Sequence, residues 1–378
     1  MSEEPSGPHN VQLDIVGRLR AAQIEMQQRD ISAAVLTPGA DLRYFTGYDA
    51  RPSERLTALV LPQDGDPVLI VPVLEAALAR SSPAAIHGLR IRTWDETTEP
   101  GQIVVSAITH AGRVAVADRM WAQHLFAIQE ATGAKLTSAA DMMSALRICK
   151  SAGEIDALRA AGAAIDSVHA AMGNWLKVGR TEREVAKDVA AAIIDAGHEE
   201  VSFTIIGSGP NGASPHHGYS DRTICSGDIV VVDIGGVMPD GYGSDCTRTY
   251  VVGDRPSSDV RGIYEVLYAA QQAATELVRP GITAQDVDRA AREVIAAAGY
   301  GEQFIHRTGH GIGLEGHEEP YIVEGNALTI AAGMVFSIEP GIYFDGDFGM
   351  RLEDIVVCTA TGADPLNTID RTLVELPG

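Results

Sequence analysis

Apolar residues recur at helical spacing over residues 11–29, and the run ISAAVLT (31–37) that follows has the density of β-branched and apolar side chains expected of a buried strand. RLTALVLP (55–62) and DPVLIVP (66–72) read as two further strands separated by the turn QDG, and VVSAITHAGRVAVAD (104–118) continues the alternation of helix and strand. The pattern predicts an α/β domain over residues 11–140, within the common size range for one domain. From 139 to 171 the chain reads as helical, which puts the boundary near 138–150 and leaves 150–378 as a second domain. The first ten or so residues are polar with Pro and Gly, and are expected to fray.

The second part contains a repeat. A shift of 102 positions lays GRTEREVAKDVAAAIIDAGH (179–198) on GITAQDVDRAAREVIAAAGY (281–300), matching Gly179 with Gly281, Thr181 with Thr283, Val185 with Val287, Ile193 with Ile295 and Gly197 with Gly299. One helix is thus used twice. Beyond it FTIIGSG (203–209) falls on IHRTGHG (305–311). With four extra residues GDIVVVDIG (227–235) falls on GMVFSIEPG (333–341), and with two more DCTRTYVV (245–252) falls on EDIVVCTA (353–360). Asp233 meets Glu339, and Asp245 meets Glu353. A fold doubled about a pseudo-two-fold axis brings those four acids to its centre.

Strand periodicity supports convergence. In IVVVDIG residues 229, 231 and 233 share a face, in SDCTRTYVV residues 245, 247 and 249 do, and in MRLEDIVV Arg351, Glu353 and Ile355 do. A carboxylate on the buried face of a strand costs several kcal/mol unless it is paired or binds a cation. Any one of these acids alone reads more simply as a solvated strand end. Four at repeat-equivalent positions do not, and their mutual repulsion calls for about four positive charges, which two divalent ions supply. His310 lies in GHGIG, opposite Ser208 of the other half, where flanking glycines let an imidazole approach a crowded centre. A lone histidine is more often a surface residue, but here it breaks the repeat where an asymmetric ligand is useful. This oxygen-rich donor set suits Mn²⁺, with Co²⁺, Zn²⁺ or Fe²⁺ as substitutes.

Composition narrows the picture. The chain of 378 residues is 45% apolar, enough for a core in one or two domains. A net charge of −22 argues against nucleic acid and anionic membranes as partners. No run of about 18 apolar residues occurs, and MSEEPSGPHN has no basic or apolar stretch of a signal peptide, so a cytoplasmic location is the expectation. The four cysteines contain no C-x-x-C pair and are read as free thiols.

PHHG, VVVDIG, SDCTRT, GHGIGLEGHE, SIEPGIY and RLED, in this order and spacing, resemble the pita-bread metallopeptidases, that is methionine aminopeptidases, aminopeptidase P and prolidase. Upstream, TPGADLRYFTGY and LRICKSAGEIDALR are similar to the creatinase-like N-terminal domain of aminopeptidase P and prolidase and its junction, so the resemblance covers nearly the whole chain. It implies an α/β creatinase-like domain followed by an α+β pita-bread catalytic domain with an internal pseudo-two-fold repeat. Methionine aminopeptidases usually lack the first domain, and creatinase lacks the full ligand set.

Residue by residue, the resemblance implies that Asp233 binds one metal, that Asp245 and Glu353 bridge two, and that His310 and Glu339 complete the other. A water activated between the ions would attack the peptide carbonyl. Glu339 is similar to the proton shuttle of these enzymes. His317 and His216 resemble the two histidines that contact substrate and stabilise the tetrahedral intermediate. His217 competes with His216, which its spacing to the Gly227-Asp228 turn favours. Arg351 is a candidate to orient Glu353. Many prolidases have an Arg after H-E-x-P to receive the substrate carboxylate; here HEEP is followed by Tyr321, so that carboxylate would be met by His216 or His217, or by Arg51 or Arg55. The expected activity is hydrolysis of Xaa-Pro bonds in di- or oligopeptides, by a prolidase-like dipeptidase or by an aminopeptidase P acting on longer peptides. A homodimer is expected by the same analogy. A non-catalytic binding module on this fold would show eroded ligands, and none is eroded here.

Overall fold

The computed structural model describes residues 14–108 and 112–377. They fall into two compact units that meet in sequence between Arg147 and Ile148. In the first, a helix at Ile15–Gln28 precedes β1 (Ala33–Leu36), and β2 (Ala58–Pro62), β3 (Val68–Pro72), β4 (Arg90–Trp94), β5 (Arg113–Val116) and β6 (Lys135–Ser138) complete one mixed sheet in the order β4-β3-β2-β1-β5-β6. β1, β2 and β3 are buried along their whole length, as continuous apolar runs require. Their side chains Val35, Val60 and Ile70 pack with Val104 and Ile128 from the helices at Pro100–Ala107 and Ala122–Thr132. Of the predicted helix at 11–29 and the run at 104–118, residues 11–13 and 109–111 lie outside the described residues.

The helical stretch predicted over 139–171 is two helices, Ala140–Arg147 and Ala152–Ala170. The break has a cause on each side. Lys150 donates its N–H to Gly333 O at 2.8 Å, and Cys149 bridges to Met334, so this backbone is committed elsewhere. Ser151 then starts the next helix with a capping box to Glu154.

The second unit carries the repeat in its backbone. Helices Glu182–Asp195 and Ala284–Ala297 have identical bounds once shifted by 102, and each opens on a threonine whose N–H binds an acidic side chain three residues on, at 2.8 Å for Thr181 to Glu184 and 2.9 Å for Thr283 to Asp286. Val185, Val189 and Ile193 are buried in one core cluster; their counterparts Val287, Ala291 and Ile295 are buried in another. Burying a Val or Ile side chain is worth roughly 1.5–3 kcal/mol, so each helix is held mainly by this stripe.

Against the first helix lies a sheet of β7 (Glu200–Ser208), β8 (Asp228–Val237) and β9 (Cys246–Val252), antiparallel in turn, and against the second a sheet that includes β10 (Gly309–Gly311), β11 (Glu318–Ile322) and β12 (Val335–Ile338). A hairpin of β13 (Gly341–Phe344) and β14 (Phe348–Arg351) intervenes before β15 (Asp354–Cys358) pairs with β12. β16 (Ala363–Pro365) lies beside β15, and β17 (Val374–Leu376) is parallel to β9. On β8 the residues Val230, Val232 and Ile234 bury against the helix, so the period of two sends Asp233 to the opposite face.

Candidate metal centre

That opposite face is where the acids gather. Asp233 lies within β8, paired in register with Thr247 of β9. Asp245 immediately precedes β9, and Glu339 falls in the step between β12 and β13. Glu353 does not share a strand with Arg351, as one continuous MRLEDIVV strand would require. β14 ends at Arg351, and Leu352 and Glu353 cross to β15 with the Glu353 N–H given to Thr247 O at 3.2 Å. The hairpin and β15 belong to different sheets, and the two-residue crossing turns the Glu353 carboxylate inward.

Ligand atoms of Asp245, His310 and Glu353 lie within 4.8 Å of one another, and all three residues are buried. Glu339 joins them through His310, whose Nε2 is 3.2 Å from Glu339 Oε1 and 3.7 Å from Asp245 Oδ2. Asp233 and Glu353 each retain one buried oxygen, Oδ1 and Oε1, with no hydrogen-bond partner. Leaving such an atom unmatched costs about 1–3 kcal/mol or more, so its persistence calls for an unseen partner.

The electrostatics agree. Burial, with the neighbouring acids adding to it, pushes the Asp245 and Glu353 carboxyls well above the usual carboxylate range, and burial raises Asp233 against the pull of Arg351. Burial also raises Glu339, but hydrogen bonding and charge from His310 outweigh it and hold that carboxyl at about 2. His310 Nδ1 donates to Gly311 O at 3.1 Å, so Nε2 is the nitrogen that faces the carboxylates. A metal ion at that position would take the place of the Nε2 proton as the positive charge these acids face. The set therefore fits divalent metal: four carboxylates, one imidazole nitrogen and two oxygens otherwise unmatched. Cys246, next in sequence to Asp245, takes no part, because its Sγ turns to Glu353 O at 3.7 Å and burial keeps the thiol protonated.

Around these five stands a shell that sequence reading only partly found. Thr247 Oγ1 donates to Glu353 Oε2 at 2.8 Å, and Ser337 Oγ donates to Glu339 Oε1 at 3.0 Å while accepting the His310 N–H. Arg351 holds Asp233, at 2.6 Å from Nη2 to Oδ2, rather than Glu353. Its Nη1 also donates to the hydroxyl of Tyr343, which contacts His306 Nε2 at 3.0 Å. Tyr343 and Thr247 stood inside quoted motifs, and the alternation of β9 already put Thr247 on the inner face. His306 carried no signal of its own.

The histidine pair separates. His217 Nε2 binds Glu182 Oε2 at 3.0 Å, and Glu182, fully buried, also accepts from Ser208, Asn211 and Ser220. His217 thus pins its loop. His216 is exposed and near enough to His306 and His317 to oppose their protonation. The His317 ring packs on His310 with centroids 3.8 Å apart. Burial and the charges of His310 and Arg307 lower its pKa to about 4. Arg307 Nη2, which can only donate, meets His317 Nδ1 at 3.1 Å, so the ring proton sits on Nε2. In the first unit, Arg55 is engaged by Glu96 at 2.7 Å and Arg51 is exposed.

Residues 156–360 match the description of metallopeptidase family M24, and residues 18–149 that of the creatinase/prolidase N-terminal domain. A probable dipeptidase PepE from Mycobacterium bovis is 51% identical over 361 residues, covering 95% of this chain and 96% of the relative. An Xaa-Pro dipeptidase from Lactobacillus helveticus is 36% identical over 93% of this chain and 97% of its own. The crystal structure of dipeptidase PepE from Mycobacterium ulcerans superposes with a TM-score of 0.92 at 51% identity, over 98% of this chain and 99% of that one. The acid cluster lies inside the segment that the peptidase description matches, and relatives align from end to end, so this chain belongs to metallopeptidase family M24, with a creatinase/prolidase N-terminal domain.

Proposed function

We propose that this metallopeptidase hydrolyses Xaa-Pro dipeptides with two divalent ions held by Asp233, Asp245, His310, Glu339 and Glu353. The observation that carries the reading is the buried cluster of acids with two unmatched oxygens, in a chain whose relatives are named dipeptidases. Asp245 and Glu353 reach in from opposite halves of the repeat, and both would hold the ions. Ions held there would supply an activated water near neutral pH and a Lewis acid for the peptide carbonyl. The donor set, four carboxylates with one imidazole and no sulfur, supports manganese as the resident ion.

The protein side of the reaction follows from the shell. Glu339 faces the centre beside His310, and Ser337 fixes one of its oxygens. It can take a proton from the attacking water and return it to the leaving proline nitrogen. His317, neutral with its proton on Nε2, offers a donor at the oxygen where charge develops, and His216 is the second candidate donor because His217 is committed to Glu182. Proline lacks an N–H and has a fixed φ, so a site shaped for its tertiary amide discriminates by shape. The four free cysteines support a reducing, cytoplasmic setting, and no helix among the described residues is long and apolar enough to cross a membrane. A homodimer belongs to the same reading.

The test compares kcat/KM for Ala-Pro, Ala-Ala and Ala-Pro-Ala with manganese present. Preference for Ala-Pro over both others is expected. Equal or better cleavage of the tripeptide would replace the dipeptidase with an aminopeptidase, and equal cleavage of Ala-Ala would remove the proline requirement.

A further inference from the structure

Among the described residues, the well-buried arginines of the second unit are engaged by carboxylates: Arg248 by Asp354 at 2.7 Å and Arg351 by Asp233 at 2.6 Å. Arg307 is different. It is half-buried and, among the described residues, forms no ion pair, in a chain with 51 acidic residues against 29 Lys and Arg. Two contacts hold it in place. Nη2 donates to His317 Nδ1 at 3.1 Å, and the guanidinium carbon lies 4.4 Å from the centroid of the Tyr321 ring. Such a cation–π contact fixes the plane of the fork while leaving its other N–H groups uncommitted.

Position gives this cation its meaning. The His317 ring packs on the His310 ring at 3.8 Å, so Arg307 stands one imidazole beyond the acid cluster. In an Xaa-Pro dipeptide the free carboxylate belongs to the residue after the scissile carbonyl, one chain step of about 3.8 Å away. An anion buried that close to the centre gives up its water, and a fixed cation that hydrogen-bonds it offsets that cost. Tyr321, which follows HEEP, supplies no charge there, but its ring seats an arginine from the preceding strand connection.

We propose that Arg307, seated on Tyr321, is the specificity residue that receives the substrate's free carboxylate and so restricts the enzyme to dipeptides. The proposal rests on the dipeptidase reading above. The bidentate geometry of a guanidinium suits a carboxylate, whereas a lysine at this place could neither stack on Tyr321 in the same way nor present a fork.

The manganese-loaded enzyme, wild type, Arg307→Met and Arg307→Lys, is assayed on Ala-Pro and on Ala-Pro amide. Loss of His317's partner affects both substrates alike, so the ratio of kcat/KM for acid over amide is the quantity to read. Wild type should favour the acid. Arg307→Met should lower that ratio by roughly 10- to 100-fold, the scale of a hydrogen bond to a charged group, chiefly through KM, with Arg307→Lys between the two. Guanidinium ion added to Arg307→Met should restore part of the ratio. An unchanged ratio in Arg307→Met overturns the proposal and leaves the dipeptidase reading standing. A wild type that cleaves the amide as well as the acid overturns both.

Discussion

Arg351 and Asp233 are 118 residues apart in sequence, yet Arg351 Nη2 donates to Asp233 Oδ2 at 2.6 Å with both side chains largely buried. The pair joins the two halves of the repeat, since Asp233 is on β8 and Arg351 ends β14. It also leaves Asp233 Oδ1 as the free oxygen of that carboxylate. One oxygen is held by a permanent cation so that the other is aimed at the centre.

Replacing Arg351 with Met strands a buried carboxylate. Metal-free protein should lose about 3 kcal/mol of stability, the lower end for breaking a buried pair, and manganese affinity should fall about 10- to 100-fold. Urea unfolding with and without chelator, together with calorimetric titration of manganese, measures both. Unchanged affinity would show that Asp233 needs no orientation.

Asp245→Asn should behave in the opposite way in the absence of metal. Burial and the charges of Glu353, Asp233 and Glu339 all oppose ionisation of Asp245, so removing its charge relieves repulsion. The metal-free variant should match or exceed the wild type in urea, while elemental analysis finds the metal pair lost and activity disappears. A variant that keeps both metals and turns over would remove Asp245 from the bridge.

His317→Ala should retain both metals and lose roughly 10²-fold in kcat, the usual scale for one transition-state donor. A kcat equal to wild type would leave His317 as a packing partner of His310 only.

The helix pair of the repeat was legible because each half repeats the same local signals: a threonine cap, an apolar stripe at 3.6 spacing and a glycine after the end, with Gly197 and Gly299 at φ of 108° and 91°. The convergence of Asp233, Asp245, Glu339 and Glu353 followed from that repeat. What stayed hidden was whatever depends on contacts between distant segments. The crossing at Leu352 and Glu353 is invisible in RLED, because a change of sheet leaves no trace in alternation. Arg351 was read beside Glu353 for that reason, and its true partner sits on β8. Spacing favours His216 over His217 in the sequence, and the contact that separates them lies with Glu182, 35 residues before His217, which engages His217. Arg307 carried no signal, since its role depends on a ring and an imidazole from the other side of β10.

A separate pH effect comes from His169. It is buried, its Nδ1 contacts Tyr250 Oη at 2.9 Å and its Nε2 contacts Cys246 O at 3.0 Å; burial, then the charge of Arg248, lowers its pKa to about 3. The unfolded chain binds a proton there near pH 6.5, which the folded chain refuses until about 3. Stability should therefore fall as pH drops from about 6.5 towards 3, by at most about 1.4 kcal/mol per pH unit for this one group. His169→Gln should make the slope shallower by one proton, read from urea midpoints between pH 6.5 and 4.5. A slope unchanged by the substitution would mean that His169 is protonated in the fold.

On the proposed function, the buried acids hold two divalent ions that the reaction requires. Protein stripped with a chelator and dialysed is titrated with manganese while metal content, by elemental analysis, and Ala-Pro hydrolysis are followed on the same samples. Activity should be absent without metal and rise to full value as the content approaches two ions per chain. Full turnover in protein shown to be metal-free, or metal binding abolished by none of Asp245→Asn, Glu353→Gln and His310→Ala, would contradict it.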